Sequence, residues 1–309
     1  MKIILKNFRL MWVIFNFIIL IMEKQPTIEN FEKPKVKIEL HFFRHDEKES
    51  DKTKSDTEIR LTESGRKHAK SLSDSETSMS QSVAFGSPRK RTQETAGLQM
   101  AGFQEEITGE ESLEELKDKL NKNLGYGSKV NSDRRLDFVL PSEGQYLEEG
   151  VKAFKEGKLL EWLVNESDKR YEELEVEEGY FSYSNQARQI ARVVEKYIKT
   201  LPRWKQLVED PEKDYEPELE RFLGTHQTVG ECFLAKVIEI TKGVEERDKF
   251  VGVLNGGGFD YSEGFEVNVQ QSDNPEPQIH IRYKKESEDL EKSFEFDEII
   301  GKEVIDQIL

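Results

Sequence analysis

Three short apolar runs in this chain stop on residues suited to holding an anion, and two of them pass directly into a helix. The first, "VKIELHFFRHDEKES", alternates Val36, Ile38, Leu40 and Phe42 with Lys37, Glu39, His41 and Phe43, the period of two expected of a strand. It ends on Arg44 and His45. The second, "SVAFG", leads into "SPRKRTQETA", where Ser87 is placed to cap a helix and Pro88 suits its first turn. The third lies in "ERFLGTHQTVGECFLAKVIEI", a strand ending at Thr225 and His226 and then a helix. Strands alternating with helices imply an α/β domain of three layers, α/β/α, around a mostly parallel central sheet, and in such sheets ligands bind beyond the carboxyl ends of the strands.

The rest of the chain is consistent with that plan. "LTESGRKHAKSL" predicts a short helix capped by Thr62, and "SLEELKDKLNKNLG" opens on a capping box, Ser112 with Glu115, and closes on Gly125. Helical spacing recurs in "GQYLEEGVKAFKEGKLLEWLV" and "SNQARQIARVVEKYIKTL", giving a helical insert over about 104–215. "KFVGVLNGGGFDYSEGFEVNVQ" and "PQIHIRYKK" read as late strands with a glycine turn at 255–259, and the acidic segment 286–309 as a terminal helix lined by Ile300, Val304 and Ile308.

Lys plus Arg is 46 against 62 Asp plus Glu in 309 residues, a net charge of −16, which argues against nucleic acid as a main partner. A single cysteine, Cys232, allows no internal disulfide and favours a reducing compartment. Residues 1–22 carry three basic residues and then an apolar run from Leu10 to Met22 broken only by Asn16. They read either as a signal or anchor segment or as upstream sequence that is never translated. A polar linker fills 23–35, and the domain proper runs over 36–285. A cytoplasmic location is expected, or membrane attachment or export if the first segment is translated.

If the three strands are parallel neighbours, Arg44-His45, Ser87 to Arg91 and Thr225-His226 face one pocket. Two arginines can fork onto phosphate oxygens, one histidine can attack phosphorus, and the other can steady the developing charge. The stretches "FFRHDEKES", "LTESGRKHA", "SPRKRTQETA" and "LGTHQTVGECFL" resemble the histidine phosphatase superfamily, the phosphoglycerate mutase-like proteins, in the family's order from about Val36 to Tyr283. The resemblance implies that His45 is the nucleophile that becomes phosphorylated, that Arg44 and Arg91 bind phosphate, and that His226 stands beside the transferred group. It implies no metal and no cofactor, and a phosphorylated small molecule or phosphoprotein as substrate. Arg89 and Lys90 are expected to face solvent on the first turn, and His41, His68 and His280 to be surface or packing residues.

Two positions depart from the pattern. Asp46 stands where the family has glycine, and three readings are open: it points inward and repels substrate, points outward harmlessly, or bonds a ring nitrogen of His45. The acid for the leaving oxygen is the other open point. Gln227 occupies the position where one branch places aspartate, leaving Glu111, Glu114, Asp137 and Glu143, of which Asp137 in "RRLDF" is preferred for its likeness to the stretch that carries the family's acid. The expected activity is metal-independent phosphomonoester hydrolysis through a phosphohistidine. The alternatives are a phosphoglycerate mutase-type phosphotransferase and an inactive module that binds phosphate or a phosphopeptide.

Overall fold

A computed structural model describes residues 36–72, 81–102, 104–122, 127–271, 276–289 and 292–309, so the expectations for residues 1–35 and the helix stop at Gly125 lie outside the described residues. The strands are β1 (Val36–Arg44), β2 (Val83–Gly86), β3 (Val130–Ser132), β4 (Glu218–Thr225), β5 (Gly264–Gln271), β6 (Gln278–Lys285) and β7 (Phe294–Ile300). They form one sheet in the order β3-β2-β4-β1-β5-β6-β7. β3, β2, β4 and β1 pair in parallel. From β1 onward every pairing is antiparallel. The sheet is therefore mixed, with β1 as the seam, and the expectation of a mostly parallel sheet is corrected on that point. The α/β class stands.

The helices are α1 (Glu63–Ser71), α2 (Lys90–Met100), α3 (Leu113–Asn121), α4 (Gln145–Lys155), α5 (Leu159–Trp162), α6 (Asp168–Glu173), α7 (Tyr183–Val208), α8 (Val229–Lys242), α9 (Val244–Val253) and α10 (Lys302–Ile308), with a π turn at Leu163–Ser167. Alternation in β1 divides the layers. Val36, Ile38, Leu40 and Phe42 enter the large core with Ile190 and Val194 of α7 and Phe233 and Val237 of α8. Phe43 joins a smaller core with Ala84, Phe222, and Ala96 and Met100 of α2. Thr62 caps α1 by accepting from the Gly65 N–H, and Ser112 and Glu115 form their capping box.

Four local readings are corrected. Ser87 does not cap α2 directly: the helix begins at Lys90, and the Ser87 hydroxyl accepts from the Arg89 N–H. The stretch read as an insert contains β3, an edge strand of the main sheet, and α7 runs on through Pro202 to Val208. Lys249–Val253 is the end of α9, not a strand. In the last segment Phe294 and Phe296 alternate with Glu295 and Asp297 as β7, leaving only Lys302–Ile308 helical. No helix of the described residues is long and apolar enough to cross a membrane.

The register aligns the carboxyl ends of the parallel strands, with Arg44 opposite Thr225 and Gly86 opposite Gly224. These two paired glycines form the floor on which α2 begins. A β-carbon at Gly86 would run into the backbone of Gln93, and one at Gly224 into the carbonyl of Thr92. Gly224→Ala is therefore expected to destabilise the domain by about 1–3 kcal/mol, the usual cost of overpacking. A urea titration that finds the variant as stable as the parent would refute the close approach.

Candidate functional site

The seam strand delivers Arg44 and His45 to the carboxyl edge, beside the start of α2 and the end of β4. His45 is buried, and its main-chain N–H donates to the Thr225 carbonyl at 2.9 Å. Its ring Nδ1 lies 2.7 Å from the Asp46 carbonyl oxygen. A carbonyl only accepts, so Nδ1 carries the proton and Nε2 keeps its lone pair. The Arg91 Nε–H, a donor, points at that Nε2 from 3.2 Å, as this tautomer requires. Burial, then the neighbouring His226, drive the His45 pKa well below the usual histidine range, with smaller help from Arg91 and Arg44 and against the upward pull of the Asp46 carbonyl. The ring is neutral at pH 7.

His226 is buried 5.2 Å away, ring centre to ring centre. Its Nε2 lies 2.8 Å from the Ser87 hydroxyl and 3.3 Å from Asp137 Oδ1, so this nitrogen is the donor. Burial and the cations of Arg91 and Arg89 outweigh Asp137 and hold its pKa down to about 4. Arg91 is buried in the first turn of α2, where burial and Arg89 lower it to about 10 and leave it a cation. Arg44 reaches the Phe259 carbonyl through Nη1 and lies over the Tyr261 ring at 4.6 Å.

The turn that holds Arg44 is itself fixed from below. Glu231, buried in α8, accepts from the N–H groups of Thr228 and Phe259, and burial pushes its pKa up to about 7. The Thr-x-x-Glu spacing of Thr228 and Glu231 is legible as a capping box, and "NGGGF" as a turn. That the two meet to position an arginine depends on contacts across 28 residues.

Asp46 follows none of the three readings fully. It is the main-chain carbonyl that accepts the hydrogen bond from His45 Nδ1, while the buried carboxylate turns away from the pocket. Asp46 Oδ2 accepts from Ser262 and pairs with His68, each at 2.6 Å, and Oδ1 accepts from the Glu47 N–H. His68 thus ties α1 to the residue that follows the strand end of β1, and Ser262 brings the loop before β5 to the same carboxylate.

Asp137 lies at the pocket wall, where Arg89 Nε donates to it at 2.8 Å. Burial raises its pKa, but the bonds from His226 and Arg89 prevail and lower it. Arg89 accordingly faces the pocket, not solvent, because it precedes the helix in an extended conformation. Glu111 is turned elsewhere, with its carboxylate on the N–H groups of Thr108 and Gly109 and on Lys119. Burial works against these bonds, which still depress it to about 2. Glu114 and Glu143 are exposed and line no part of the pocket.

One pocket residue had no signal in the sequence. Asp56, in the polar loop after β1, spans both Nη atoms of Arg91 at 3.1 and 3.2 Å and also pairs with Arg89. A carboxylate thus occupies the fork that would grip phosphate oxygens. Together the four cations Arg44, Lys48, Arg89 and Arg91 and the two carboxylates Asp56 and Asp137 surround His45 and His226 in one cavity.

Part of this site falls within a described family model. Residues 40–118 match the model of the histidine phosphatase superfamily (branch 1), a stretch that holds Arg44, His45 and Arg91 and ends before Asp137 and His226. Over that stretch the chain resembles the histidine phosphatase superfamily. No curated protein matches the chain. Solved structures similar to this chain include a mycobacterial glucosyl-3-phosphoglycerate phosphatase, 15% identical, with 75% of this chain and 91% of that one covered at a TM-score of 0.43. Another is a phosphoserine phosphatase variant from Entamoeba histolytica, 14% identical, with coverages of 75% and 90% and a TM-score of 0.36.

Two measurements check this geometry. Asp46→Gly removes the ties to His68 and Ser262 and should cost about 1–3 kcal/mol in a denaturation experiment. Because the carbonyl remains, nitrogen NMR should still find the His45 proton on Nδ1, and a move to Nε2 would contradict the assignment. The second is the pH dependence of stability. His45 and His226 have folded pKa values below the 6.5 of an unfolded histidine, so between pH 6.5 and about 4 the unfolded chain binds protons that the folded chain does not. Stability should fall as pH falls through that window. His226→Asn should show a smaller drop in its urea midpoint between pH 7.5 and 5, and an unchanged drop would count against a neutral buried His226.

Proposed function

We propose that the chain is a phosphomonoester hydrolase that works through a phosphorylated His45. The observation that carries this reading is the hydrogen bond from His45 Nδ1 to the Asp46 carbonyl, which leaves the Nε2 lone pair facing a pocket of guanidinium groups. A neutral imidazole with a fixed tautomer is a ready nucleophile, and buried cations stabilise charge on a transferring phosphoryl group.

A phosphate dianion entering the pocket displaces Asp56 from the Arg91 fork, and Arg44, Arg91 and the His226 N–H hold its oxygens. The His45 Nε2 lone pair forms the N–P bond as the P–O ester bond breaks, and the leaving oxygen takes a proton from Asp137. Before substrate arrives Asp137 is ionised. An arriving dianion competes for Arg89 and adds negative charge beside the carboxyl, and both effects raise its pKa so that it takes up a proton from solvent, which it then gives to the leaving oxygen. In the second half, Asp137 accepts a proton from water as the water oxygen attacks phosphorus, the N–P bond breaks, and inorganic phosphate leaves with the histidine restored. The arginines and His226 supply the positive charge for both halves.

The test is hydrolysis of an aryl phosphate in the presence of a chelator. Turnover is expected, with an acid-labile phosphoprotein trapped by quenching, and His45→Ala should lower kcat by about a thousandfold or more. Binding of phosphate without hydrolysis or phosphoprotein would leave a binding module instead. Interconversion of phosphoglycerates with added 2,3-bisphosphoglycerate would indicate a mutase.

A further inference from the structure

We propose that the alcohol half of the substrate is a large apolar group, aromatic or long-chain, seated in a vestibule that continues the phosphate pocket; this rests on the phosphomonoester reading above. The cavity measures about 790 Å³, far more than a phosphoryl group fills, and sits within the range of sites for ligands of drug size. Its inner end is the cluster of Arg44, His45, Arg91 and His226. Its outer end is built from Phe138, Val139 and Leu140, just after a 3₁₀ turn at Arg134–Leu136, and from Val151, Phe154 and Trp162 on α4 and α5.

The rim is unusually apolar for a surface. Among the described residues, five of the ten large apolar side chains that remain exposed line this cavity: Val139 at 56%, Leu140 at 44%, Val151 at 36%, Phe154 at 57% and Tyr261 at 45%. Scattered exposed apolar residues need no explanation, but a cluster continuous with a charged pocket does. Several polar groups in the same walls are already engaged. Tyr146 donates its hydroxyl to the Phe181 carbonyl, Gln227 its amide to the Gly257 carbonyl, and both carboxylates are held by Arg89. Aromatic rings flank the transition from charge to apolar wall, with the Arg89 guanidinium 4.3 Å from the Phe138 ring centre. Such walls reward apolar contact and offer little to the hydroxyls of a sugar or to a second carboxylate.

Calorimetric titration of the full chain with non-hydrolysable n-alkylphosphonates, from ethyl to octyl and below their micellar concentrations, tests the vestibule. Affinity should rise by about two- to fourfold per methylene, the upper figure being full burial of each. A 1-naphthyl phosphonate in the same series separates aromatic from aliphatic preference. The double variant Leu140→Ser, Phe154→Ser, at exposed positions, should reduce the octyl-to-ethyl affinity ratio at least tenfold. Tight ethylphosphonate binding with a flat chain-length series, or stronger binding of a polar phosphonate of equal size, would overturn the vestibule alone. Failure of every phosphonate to bind would overturn both it and the phosphate reading.

Discussion

The approach of α2 to the sheet over Gly86 and Gly224 is the constraint on which the site depends. Without side chains at two adjacent strand ends, the first turn of the helix settles against the backbone of β2 and β4. That contact places Arg91 opposite the end of β1 and lets Thr95 accept from the Asp46 N–H at 3.1 Å. The strand that carries the histidine and the helix that carries the arginine are thereby locked in one register. A few tenths of an ångström of extra bulk on the floor would be felt at the guanidinium, because close-packed interiors transmit strain instead of absorbing it.

Charge is arranged around this frame largely out of solvent, with His45, Arg91 and His226 all buried. Both histidines are kept neutral by burial among arginines, while the arginines remain cationic and share two carboxylates. The pocket therefore keeps a surplus of positive charge, four cations against two carboxylates, with Asp56 and Asp137 standing where an anionic guest would take over their partners. An exchange of one anion for another costs less than the exposure of bare buried cations.

Much of the frame was legible in the sequence because its signals are local. The alternation in β1, the strand leading into the helix after Ser87 and the strand end at Thr225 each follow from backbone geometry over a few residues, whereas the part of Arg91 comes only from the family resemblance. What escaped depends on distant partners. The direction of the Asp46 carboxylate is set by His68 and Ser262, the latter 216 positions away, and no short pattern encodes that. Asp56 lies in a polar loop without periodicity, so only the fold reveals that it meets Arg91. Arg89 faces the pocket because the helix begins at Lys90, two residues later than Pro88, which leaves Arg89 in the extended segment before it. The short run "FVGV" illustrates a different limit, since four apolar residues fit the end of a helix as well as a strand.

The bond between His45 Nδ1 and the Asp46 carbonyl also fixes the chemical identity of the adduct in the proposed reaction. With one ring nitrogen capped by the protein's own backbone, phosphorus can be accepted only at the other, so the product is the τ regioisomer of phosphohistidine and not the π form. Reagents raised against the π isomer would be blind to it. A search for the modified protein in cells therefore has to choose its probe according to a single main-chain oxygen.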